Sequence, residues 1–417
     1  MKIEENSKVN MVTSYPKSRI NILLLENIHP TAARIFQEDG FHVETLPGSL
    51  GHEMLKERIR DVSVLGIRSK TVVDADILEN AERLLAIGAF CIGTNQIDLK
   101  TCSQKGIAVF NAPFSNTRSV GELAIGEIIM LFRGVYDKCR KLHEGIWCKS
   151  AKNNYEIRGK KLGIVGYGKI GSQLSVLAEA LGMQVYYYDI VEKLALGNAR
   201  KCNSLDELLQ IVDVVSIHVD GRKENYHLIG RAQFEKMKPG ILFLNLSRGF
   251  VVDIAALADN LKSGKIRGAA IDVFPEEPLN NDEIFRSELQ HLPNVILTPH
   301  IGGSTEEAQV HIARFVPTKI IDFINSGNTI LSVNFPNVQL PALNNAHRLI
   351  HIHDNVPGML AQINHILASN DVNIVGQYLK TNEEIGYVIT DIEKNYSEKM
   401  LTEIKQIPHT IKFRILY

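Results

Sequence analysis

Three residues with complementary chemistry stand at or shortly after apolar runs in the second half of the chain. Arg248 follows ILFLNLS, Glu277 comes soon after GAAIDVF, and His300 follows NVILTP. A protonated imidazole can donate a proton to a carbonyl oxygen that gains charge, and a guanidinium can bind carboxylate and carbonyl together. A carboxylate beside the imidazole favours its charged form. The set predicts hydride chemistry on a 2-keto or 2-hydroxy acid, with His300 as acid/base, Glu277 as its partner and Arg248 as the substrate clamp.

A glycine-rich turn predicts where the hydride carrier binds. Three glycines with the spacing G-x-G-x-x-G follow an apolar run and open a helical pattern, and an aspartate ends the next apolar run. The glycines allow a tight turn, close approach of a pyrophosphate and close helix–strand packing, and the helix N-terminus faces the phosphates. The aspartate can accept hydrogen bonds from ribose hydroxyls, and its charge repels a 2′-phosphate, which favours NAD over NADP. A purely structural glycine turn is the alternative. The predicted NAD site comprises Gly166, Gly168, Lys169, Ile170, Gly171 and Asp189.

The apolar runs alternate with helical patterns, which is typical of parallel, doubly wound α/β sheets. One alternation extends from INILLLENI to IAVFNAP, and a second begins at Lys160. The motif Ser304-Thr-Glu-Glu307 predicts the start of a helix that returns the chain to the first alternation. We therefore predict a substrate-binding domain of residues 1–115 and 303–343 around a dinucleotide-binding domain of residues 116–302.

The remaining residues, 344–417, follow a different pattern. Apolar runs and helical patterns occur there in the order strand, helix, strand, strand, helix, strand. This order predicts a small ferredoxin-like βαββαβ domain.

The composition excludes several classes of partner. The 417 residues are 45% hydrophobic and 22% charged, with a formal net charge of -1. This balance suggests neither a nucleic-acid nor a membrane partner. The five scattered cysteines lack zinc-site spacing, so we expect free thiols and no metal. The N-terminus is polar and lacks a secretory pattern. Together with the free thiols, this predicts a cytoplasmic protein.

Several segments resemble a known family. GYGKIG, LNLSRGFVVD, AAIDVFPEEP and LTPHIGGST look like the D-isomer-specific 2-hydroxyacid dehydrogenases. The resemblance implies that Arg248, Glu277 and His300 are the catalytic triad, and that His218 and Asp272 line the nicotinamide end of the NAD site. GIRSKT, AFCIGTNQID and NAPFSNTRSVGE are similar to those members that oxidise 3-phosphoglycerate to 3-phosphohydroxypyruvate, the first step towards serine.

A phosphorylated substrate needs cations or a helix N-terminus near its far end. Arg68 and Ser69 follow the apolar run VSVLGI, and Asn116 lies just before a helical pattern. The resemblance implies that these three residues touch substrate and that the backbone at Gly93 holds its carboxylate. It also implies that Lys149 adds charge, reaching in from a neighbouring subunit, with a solvated surface lysine as the alternative.

The C-terminal segment resembles an ACT domain, a module that commonly binds amino acids where two copies pair. The segment from His353 to Gly358 turns from a strand into a helix, and Asn373 lies in the next strand. The resemblance implies that His353, Asn355 and Asn373 hold L-serine as an effector and that the protein is a homotetramer. The alternative is a domain that only mediates assembly.

Rival functions stay open at this point. Transcriptional co-repressors share this dehydrogenase fold and its triad, and a fold alone does not establish a function. Among enzymes, reduction of glycerate-type or glyoxylate-type substrates is the nearer alternative, and reduction of 2-oxoglutarate is a further possibility. Strong dependence on the substrate phosphate would separate these functions.

Overall fold

The structure, a computed structural model, describes three ranges of the chain: 16–278, 282–341 and 346–416. The described residues form two compact units. One unit comprises the residues up to Pro113 together with those from Val310 onwards, and the other is Phe114–Gln309. The predicted domain boundary between residues 343 and 344 lies outside the described residues. In the part of the chain described, no helix is long and apolar enough to cross a membrane.

The first unit contains a parallel sheet of five strands: β1 (Asn21–Leu24), β2 (His42–Thr45), β3 (Val64–Ile67), β4 (Ala86–Ala89) and β5 (Ala108–Asn111). The strands are connected by α1 (Thr31–Glu38), α2 (His52–Arg58), α3 (Ala75–Glu79) and α4 (Leu99–Gln104). Their order is β2-β1-β3-β4-β5, as in flavodoxin-like doubly wound folds. Every residue of β3 and β4 is buried, as expected of parallel strands with helices on both faces.

The second unit begins with the helices α5 (Thr117–Arg133) and α6 (Val135–His143). Its parallel sheet has seven strands: β6 (Lys161–Val165), β7 (Gln184–Tyr188), β8 (Arg200–Lys201), β9 (Val214–Ile217), β10 (Ile241–Asn245), β11 (Ile266–Ile271) and β12 (Val295–Leu297). The connecting helices are α7 (Lys169–Ala180), α8 (Leu205–Ile211), α9 (Arg231–Lys236) and α10 (Ile254–Lys262). The order β12-β11-β10-β9-β6-β7-β8 reverses direction at β6 and β9, where open α/β sheets bind their ligands.

Helix α11 (Glu306–Ser326) begins one residue later than the capping motif indicates. The motif places the cap at Ser304, but the Thr305 hydroxyl accepts the Ala308 amide at 3.2 Å. Thr305 also lies 2.9 Å from the Ser119 hydroxyl, measured between the two oxygens. Two adjacent hydroxyls can each cap this helix in the sequence, and the contact with Ser119 favours the second.

The C-terminal residues form β13 (His347–Asp354), α12 (Met359–Ser369), β14 (Ile374–Thr381), β15 (Ile385–Ile392), α13 (Glu398–Lys405) and β16 (Thr410–Leu416). The antiparallel sheet has the order β14-β15-β13-β16. This arrangement confirms the predicted ferredoxin-like domain, and the two parallel sheets confirm the doubly wound prediction. Alternate residues of the central strands point to opposite faces, and one face is covered by α12 and α13.

The other face of this antiparallel sheet packs on α11 within the first unit. Arg348 is 1% exposed, binds Asp391 through two hydrogen bonds of 2.7 and 2.8 Å, and donates to the Ser326 carbonyl at 2.8 Å. The Tyr387 hydroxyl donates to the Gly327 carbonyl at 2.7 Å. These donors satisfy carbonyl groups at the C-terminus of α11, where positive charge is favourable. The C-terminal sheet is therefore anchored to the first unit.

Candidate active site

The predicted acid/base histidine and its carboxylate partner lie in direct contact. His300 Nδ1 and Glu277 Oε2 are 2.8 Å apart, and Glu277 Oε1 accepts the Phe274 amide at 3.0 Å. The hydrogen bond to Glu277 raises the pKa of His300 and outweighs the opposing effect of burial. Burial raises the pKa of Glu277, but the hydrogen bond and charge of His300 bring that pKa below its usual value. The pair therefore favours an imidazolium beside a carboxylate.

The loop that carries His300 is held by Asp272, which directly follows β11 and is 1% exposed. Its carboxylate accepts the amides of Ile301 and Gly302, each at 2.8 Å, and the Thr298 hydroxyl at 2.6 Å. The Asp272 carbonyl accepts the His300 amide at 2.8 Å. His300 has φ 54°, a left-handed conformation that is uncommon outside glycine. The predicted proton-transfer residue thus has a strained backbone, and the hydrogen bonds to Asp272 hold this conformation in place.

Arg248 lies in the turn after β10, close to the histidine–carboxylate pair. The side-chain nitrogen of Asn245 donates to the Arg248 carbonyl at 3.0 Å, and the side-chain oxygen of Asn245 accepts the Ser247 backbone amide at 3.1 Å. A Cβ atom on Gly249 would lie 1.9 Å from the carbonyl carbon of Phe274, so only glycine allows the turn and the following loop to approach. The Arg248 charge contributes to the lowered pKa of Glu277 and opposes the larger effect by which Glu277 raises the pKa of His300, as expected of a cation near the pair.

A cavity of about 310 Å³ lies at the carboxyl end of β6 and is lined by Gly166, Gly168, Asp189 and His218 among others. Gly166 has φ 90°, and a Cβ atom there would lie 2.7 Å from the His218 carbonyl oxygen. A Cβ atom on Gly168 would meet nothing within 4 Å. Asp189 accepts the Tyr167 amide at 2.8 Å and keeps further acceptor capacity. The cavity joins four of the predicted cofactor residues.

The other residues of the glycine motif lie in the first turn of α7. A Cβ atom on Gly171 would lie 2.3 Å from the Gly166 carbonyl oxygen, so this glycine allows close helix–strand packing. Ile170 packs against the core beneath the helix. The Lys169 ammonium lies 2.9 Å from the centroid of the Phe114 ring, and burial lowers the pKa of the lysine. Neither Lys169 nor Ile170 lines the cavity.

Two predicted residues of the second unit hold buried polar atoms without a partner among the described residues. His218 Nε2 lies 2.8 Å from the Ser216 hydroxyl, whereas its Nδ1 is unpaired. Burial lowers the pKa of His218 to about 4, so the ring is neutral near pH 7. The Asn116 side-chain oxygen is also unpaired. Asn116 packs closely on Gly303: a Cβ atom added to Gly303 would lie 2.2 Å from the side-chain nitrogen of Asn116. Asn116 therefore lies beside the loop that carries His300.

In the first unit, the predicted substrate residues lie at neighbouring strand ends. Arg68 and Ser69 follow β3, and Gly93 follows β4. The Gln96 side-chain amide donates to the Arg68 carbonyl at 2.6 Å and to the Gly93 carbonyl at 3.4 Å, which joins the two loops. Lys149 belongs to the second unit, in an exposed segment after α6.

The three predicted effector residues do not meet within one chain. His353 pairs with Gly386 near the start of β15, whereas Asn373 precedes Ile374, which pairs with Ile392 at the other end of β15. Six residues of a strand span about 20 Å. A single site formed by all three would therefore need a second copy of the domain.

Each effector candidate has a local environment suited to a ligand or to a turn. His353 is 2% exposed, and its Nε2 has no partner among the described residues. The Asn355 amide donates to the Asn382 carbonyl at 2.8 Å, and the Asn373 amide donates to Glu393 at 3.0 Å. Both asparagines are exposed, so their remaining polar atoms are accessible.

Comparison with known proteins agrees with this geometry. The profile described as D-isomer specific 2-hydroxyacid dehydrogenase, NAD binding domain, matches residues 125–302, and that of the AHAS small subunit-like ACT domain matches residues 349–412. The chain is 51% identical over 405 residues to the D-3-phosphoglycerate dehydrogenase of Dictyostelium discoideum, covering 97% of this chain and 99% of that protein. It is 51% identical over 407 residues to the enzyme of the same name from Escherichia coli K12, with the same coverage. The solved structure of D-2-hydroxyisocaproate dehydrogenase superposes with a TM-score of 0.67 at 25% identity, covering 76% of this chain and all of that one.

The chain belongs to the D-isomer specific 2-hydroxyacid dehydrogenase family. It is therefore an NAD-dependent dehydrogenase, and its C-terminal part is an ACT domain.

The structure fits the NAD of this family. The backbone at Gly168 faces open space, and the cavity extends from there to Asp189. The N-terminus of α7 begins at this glycine, where helix amides can bind a pyrophosphate. These features suit a dinucleotide with its phosphates at the glycine turn and a ribose at Asp189.

Sequence reasoning missed several residues of this family member's site. Arg222 and Lys193 line the cofactor cavity, and Arg222 is paired with Asp220 at 2.7 Å. Asn245 holds the Arg248 turn, and Gln96 joins the two loops of the first unit. Arg222 and Asp220 follow β9, so their position after a strand was an available signal. Gln96 gave no such signal because its partners lie on other loops.

Proposed function

We propose that this protein oxidises D-3-phosphoglycerate to 3-phosphohydroxypyruvate with NAD as hydride acceptor, the first step of phosphorylated serine biosynthesis. The observation that carries the proposal is its similarity, over nearly the full length, to enzymes named D-3-phosphoglycerate dehydrogenase. The contact between His300 and Glu277 supports the chemistry. Reduction of the ketone is the thermodynamically easier direction, so the assay is best run in that direction.

The catalytic roles follow from the chemistry of the three side chains. His300 takes the proton from the C2 hydroxyl during oxidation and returns it to the carbonyl oxygen during reduction. Glu277 orients the imidazole and stabilises its charged form. Arg248 binds the substrate carboxylate and the reacting oxygen through its fork of donors. When bound, NAD supplies the acceptor for the hydride that leaves C2.

The phosphate-bearing end of the substrate is assigned to the predicted polar residues. Arg68 supplies a guanidinium and Ser69 a hydroxyl, both suited to phosphate oxygens. Asn116 has a side-chain NH2 group that can donate to a phosphate oxygen. The backbone at Gly93 binds the substrate carboxylate, and Lys149 adds positive charge from a neighbouring subunit.

The NAD site is assigned to the glycine turn and to the groups around its cavity. Gly166, Gly168 and Gly171 shape the turn, and Asp189 binds the adenosine ribose. Lys169 and Ile170 contribute the first turn of α7 beside the pyrophosphate. We assign His218 and Asp272 to the nicotinamide end. The unpaired nitrogen of His218 supports its assignment, and the hydrogen bond from the Ile301 amide to Asp272 supports a role through the His300 loop.

The experiment that tests this function is NADH consumption with four 2-oxo acids offered separately: 3-phosphohydroxypyruvate, hydroxypyruvate, glyoxylate and 2-oxoglutarate. We expect 3-phosphohydroxypyruvate to be reduced with the highest kcat/KM and D-3-phosphoglycerate to be the product. Higher kcat/KM with glyoxylate or 2-oxoglutarate would retain the hydride chemistry and overturn the substrate assignment. No reaction with any of the four would favour a binding function instead.

The ACT domain indicates a small-molecule effector, and we propose that this effector is L-serine. Asparagine amides can both donate to a carboxylate and accept from an amine. Because the candidate residues lie at opposite ends of one sheet, His353 and Asn355 of one copy would join Asn373 of another. Pairing of ACT domains, together with pairing of the catalytic domains, makes a homotetramer.

Substitution of the two asparagines tests the effector site. Asn355→Ala and Asn373→Ala are each expected to abolish inhibition by L-serine while turnover stays within about twofold, because allosteric and catalytic sites are distinct. Asn370→Ala is the matched control, since its side-chain amide donates to the Ile366 carbonyl and to Glu403 within the same domain. Equal inhibition of the variants and the wild-type enzyme would overturn this assignment.

We also assign the protein to the cytoplasm. No disulfide joins the cysteines of the described residues, and the Cys139 and Cys148 thiols are exposed. Free exposed thiols suit a reducing compartment. Fractionation of cells that express a tagged chain tests the assignment, and recovery with an organelle would contradict it.

A further inference from the structure

A buried carboxylate lies behind the loop that carries Arg68 and Ser69. Glu26 lies two residues after the end of β1 and is 8% exposed. Its Oε1 accepts the amides of Arg68 at 3.1 Å and Thr71 at 2.8 Å, and its Oε2 accepts the Lys70 amide at 3.0 Å. The Ser69 amide is not among these donors. One side chain therefore binds three of the four successive amides of this loop from the inside.

This arrangement is costly to maintain. A buried carboxylate loses its hydration, and only strong hydrogen bonds offset the loss. Glu26 itself has φ 60° and its neighbour Asn27 has φ 52°, both in the left-handed region that residues with a Cβ atom rarely adopt. Strained residues of this kind persist where the surrounding structure needs a particular geometry. The strain here points to a requirement on the shape of the loop.

The same loop is fixed from a second side. The Gln96 side-chain amide donates to the Arg68 carbonyl at 2.6 Å, so both polar groups of the Arg68 backbone are held. Thr71 is buried, whereas Ser69 and Lys70 are exposed at the apex. The bonds to Glu26 thus leave the outer side of the apex free for a ligand.

We propose that Glu26 is a positioning residue for substrate, which fixes the backbone of residues 68–71 so that the Arg68 side chain and the Ser69 hydroxyl and amide bind the phosphate-bearing end. This inference rests on the function proposed above for Arg68 and Ser69. Glu26 does not touch substrate, and its negative charge is directed onto loop amides on the side away from the apex. Its contribution is to bring the groups of the loop into one geometry before substrate binds.

Glu26→Gln is the most informative variant because it keeps the size of the side chain. If the glutamine oxygen takes the Oε1 position, it can still accept from the Arg68 and Thr71 amides, but the side-chain NH2 group then faces the Lys70 amide, donor against donor. We expect the KM for 3-phosphohydroxypyruvate to rise about tenfold, equivalent to about 1.4 kcal/mol. The KM for NADH and kcat should stay within about twofold, because the loop holds substrate and not cofactor.

Two further variants strengthen the test. Gln96→Met removes the donor to the Arg68 carbonyl from the opposite side and is expected to raise the same KM. Glu38→Gln makes the same chemical change at an exposed position of the same unit and should leave all constants unchanged. The preference for 3-phosphohydroxypyruvate over hydroxypyruvate should fall in the first two variants and not in the control.

Hydrogen exchange gives a second readout that does not depend on turnover. Exchange of a peptide containing residues 68–71 should be faster in Glu26→Gln than in the wild-type protein, because the Lys70 amide loses its acceptor. Faster exchange with an unchanged KM would overturn the substrate role of Glu26. A parallel loss of kcat, NADH affinity and thermal stability would also overturn it, in favour of a purely structural role. Failure of the wild-type enzyme to use 3-phosphohydroxypyruvate would instead overturn the proposed function and the substrate part of this inference together.

Discussion

Asp272→Asn tests whether this carboxylate acts on catalysis through the loop of His300. The aspartate accepts from Thr298, Ile301 and Gly302, and both of its oxygens are used. In one orientation the NH2 group of the new asparagine faces the Gly302 amide, and in the other it faces the Ile301 amide and the Thr298 hydroxyl. At least one hydrogen bond to a charged acceptor is therefore lost in either orientation.

The loss can be compared with the strain it opposes. A hydrogen bond to a charged group contributes about 1.5–3 kcal/mol. The left-handed backbone of His300, at φ 54°, costs on the order of 1–3 kcal/mol. Because the two magnitudes are similar, the loop should relax away from its present conformation. We expect kcat to fall about ten- to hundredfold, the equivalent of the same free energy in the transition state.

The assay is steady-state reduction of 3-phosphohydroxypyruvate, combined with titration of NADH binding by fluorescence. Asp253→Asn is the matched control, because Asp253 caps α10 and asparagine is an equally good cap. Circular dichroism checks that the variant is folded at the assay temperature. An unchanged kcat with weakened NADH binding would refute the reasoning and make Asp272 a direct cofactor ligand.

Three further predictions concern the triad and the cofactor site. His300→Ala should lower kcat by about 10²–10⁴ while NADH still binds, as expected when a general acid is removed; undiminished turnover would exclude the assigned role. Glu277→Gln should lower the pKa of His300, because the hydrogen bond to Glu277 is the main cause that raises it. Ketone reduction needs the protonated imidazole, so the fall in rate with rising pH should begin at lower pH in this variant, and an identical pH profile would contradict the role of the pair. Asp189→Ala should weaken NAD binding and narrow the preference for NAD over NADP, as measured by kcat/KM for each; an unchanged ratio would mean that another acidic group of the cavity, such as Asp220, disfavours the 2′-phosphate.

Much of the fold was predictable because local patterns carried the necessary information. The buried strands β3, β4 and β10 are continuous apolar runs, and the runs end where polar residues begin. Parallel strands place their carboxyl ends at one edge. This rule alone brings Arg248 and His300 to the same side of the second sheet. The contact between His300 and Glu277 then follows from their positions on adjacent loops.

The remaining features depend on partners that are distant in the sequence. Glu26 binds amides more than forty residues away, and nothing near it in the chain indicates those partners. Asp272 has the sequence context of a cofactor ligand, but its oxygens bind the loop that carries His300. The packing of the C-terminal sheet on α11 depends on Arg348 and Tyr387, which in sequence read as ordinary strand residues. Such contacts require the three-dimensional structure.

The measurement that tests the central claim most directly is the ratio of kcat/KM for 3-phosphohydroxypyruvate to that for hydroxypyruvate with NADH. The two ketones differ only in the phosphate, so the ratio reports the groups assigned to it, Arg68, Ser69 and Asn116. We predict a ratio of at least about 10², since two charge-assisted phosphate contacts of about 1.5–3 kcal/mol each contribute at least about 3 kcal/mol. A ratio near one would contradict the account, because the enzyme would then reduce 2-keto acids without recognising a phosphate.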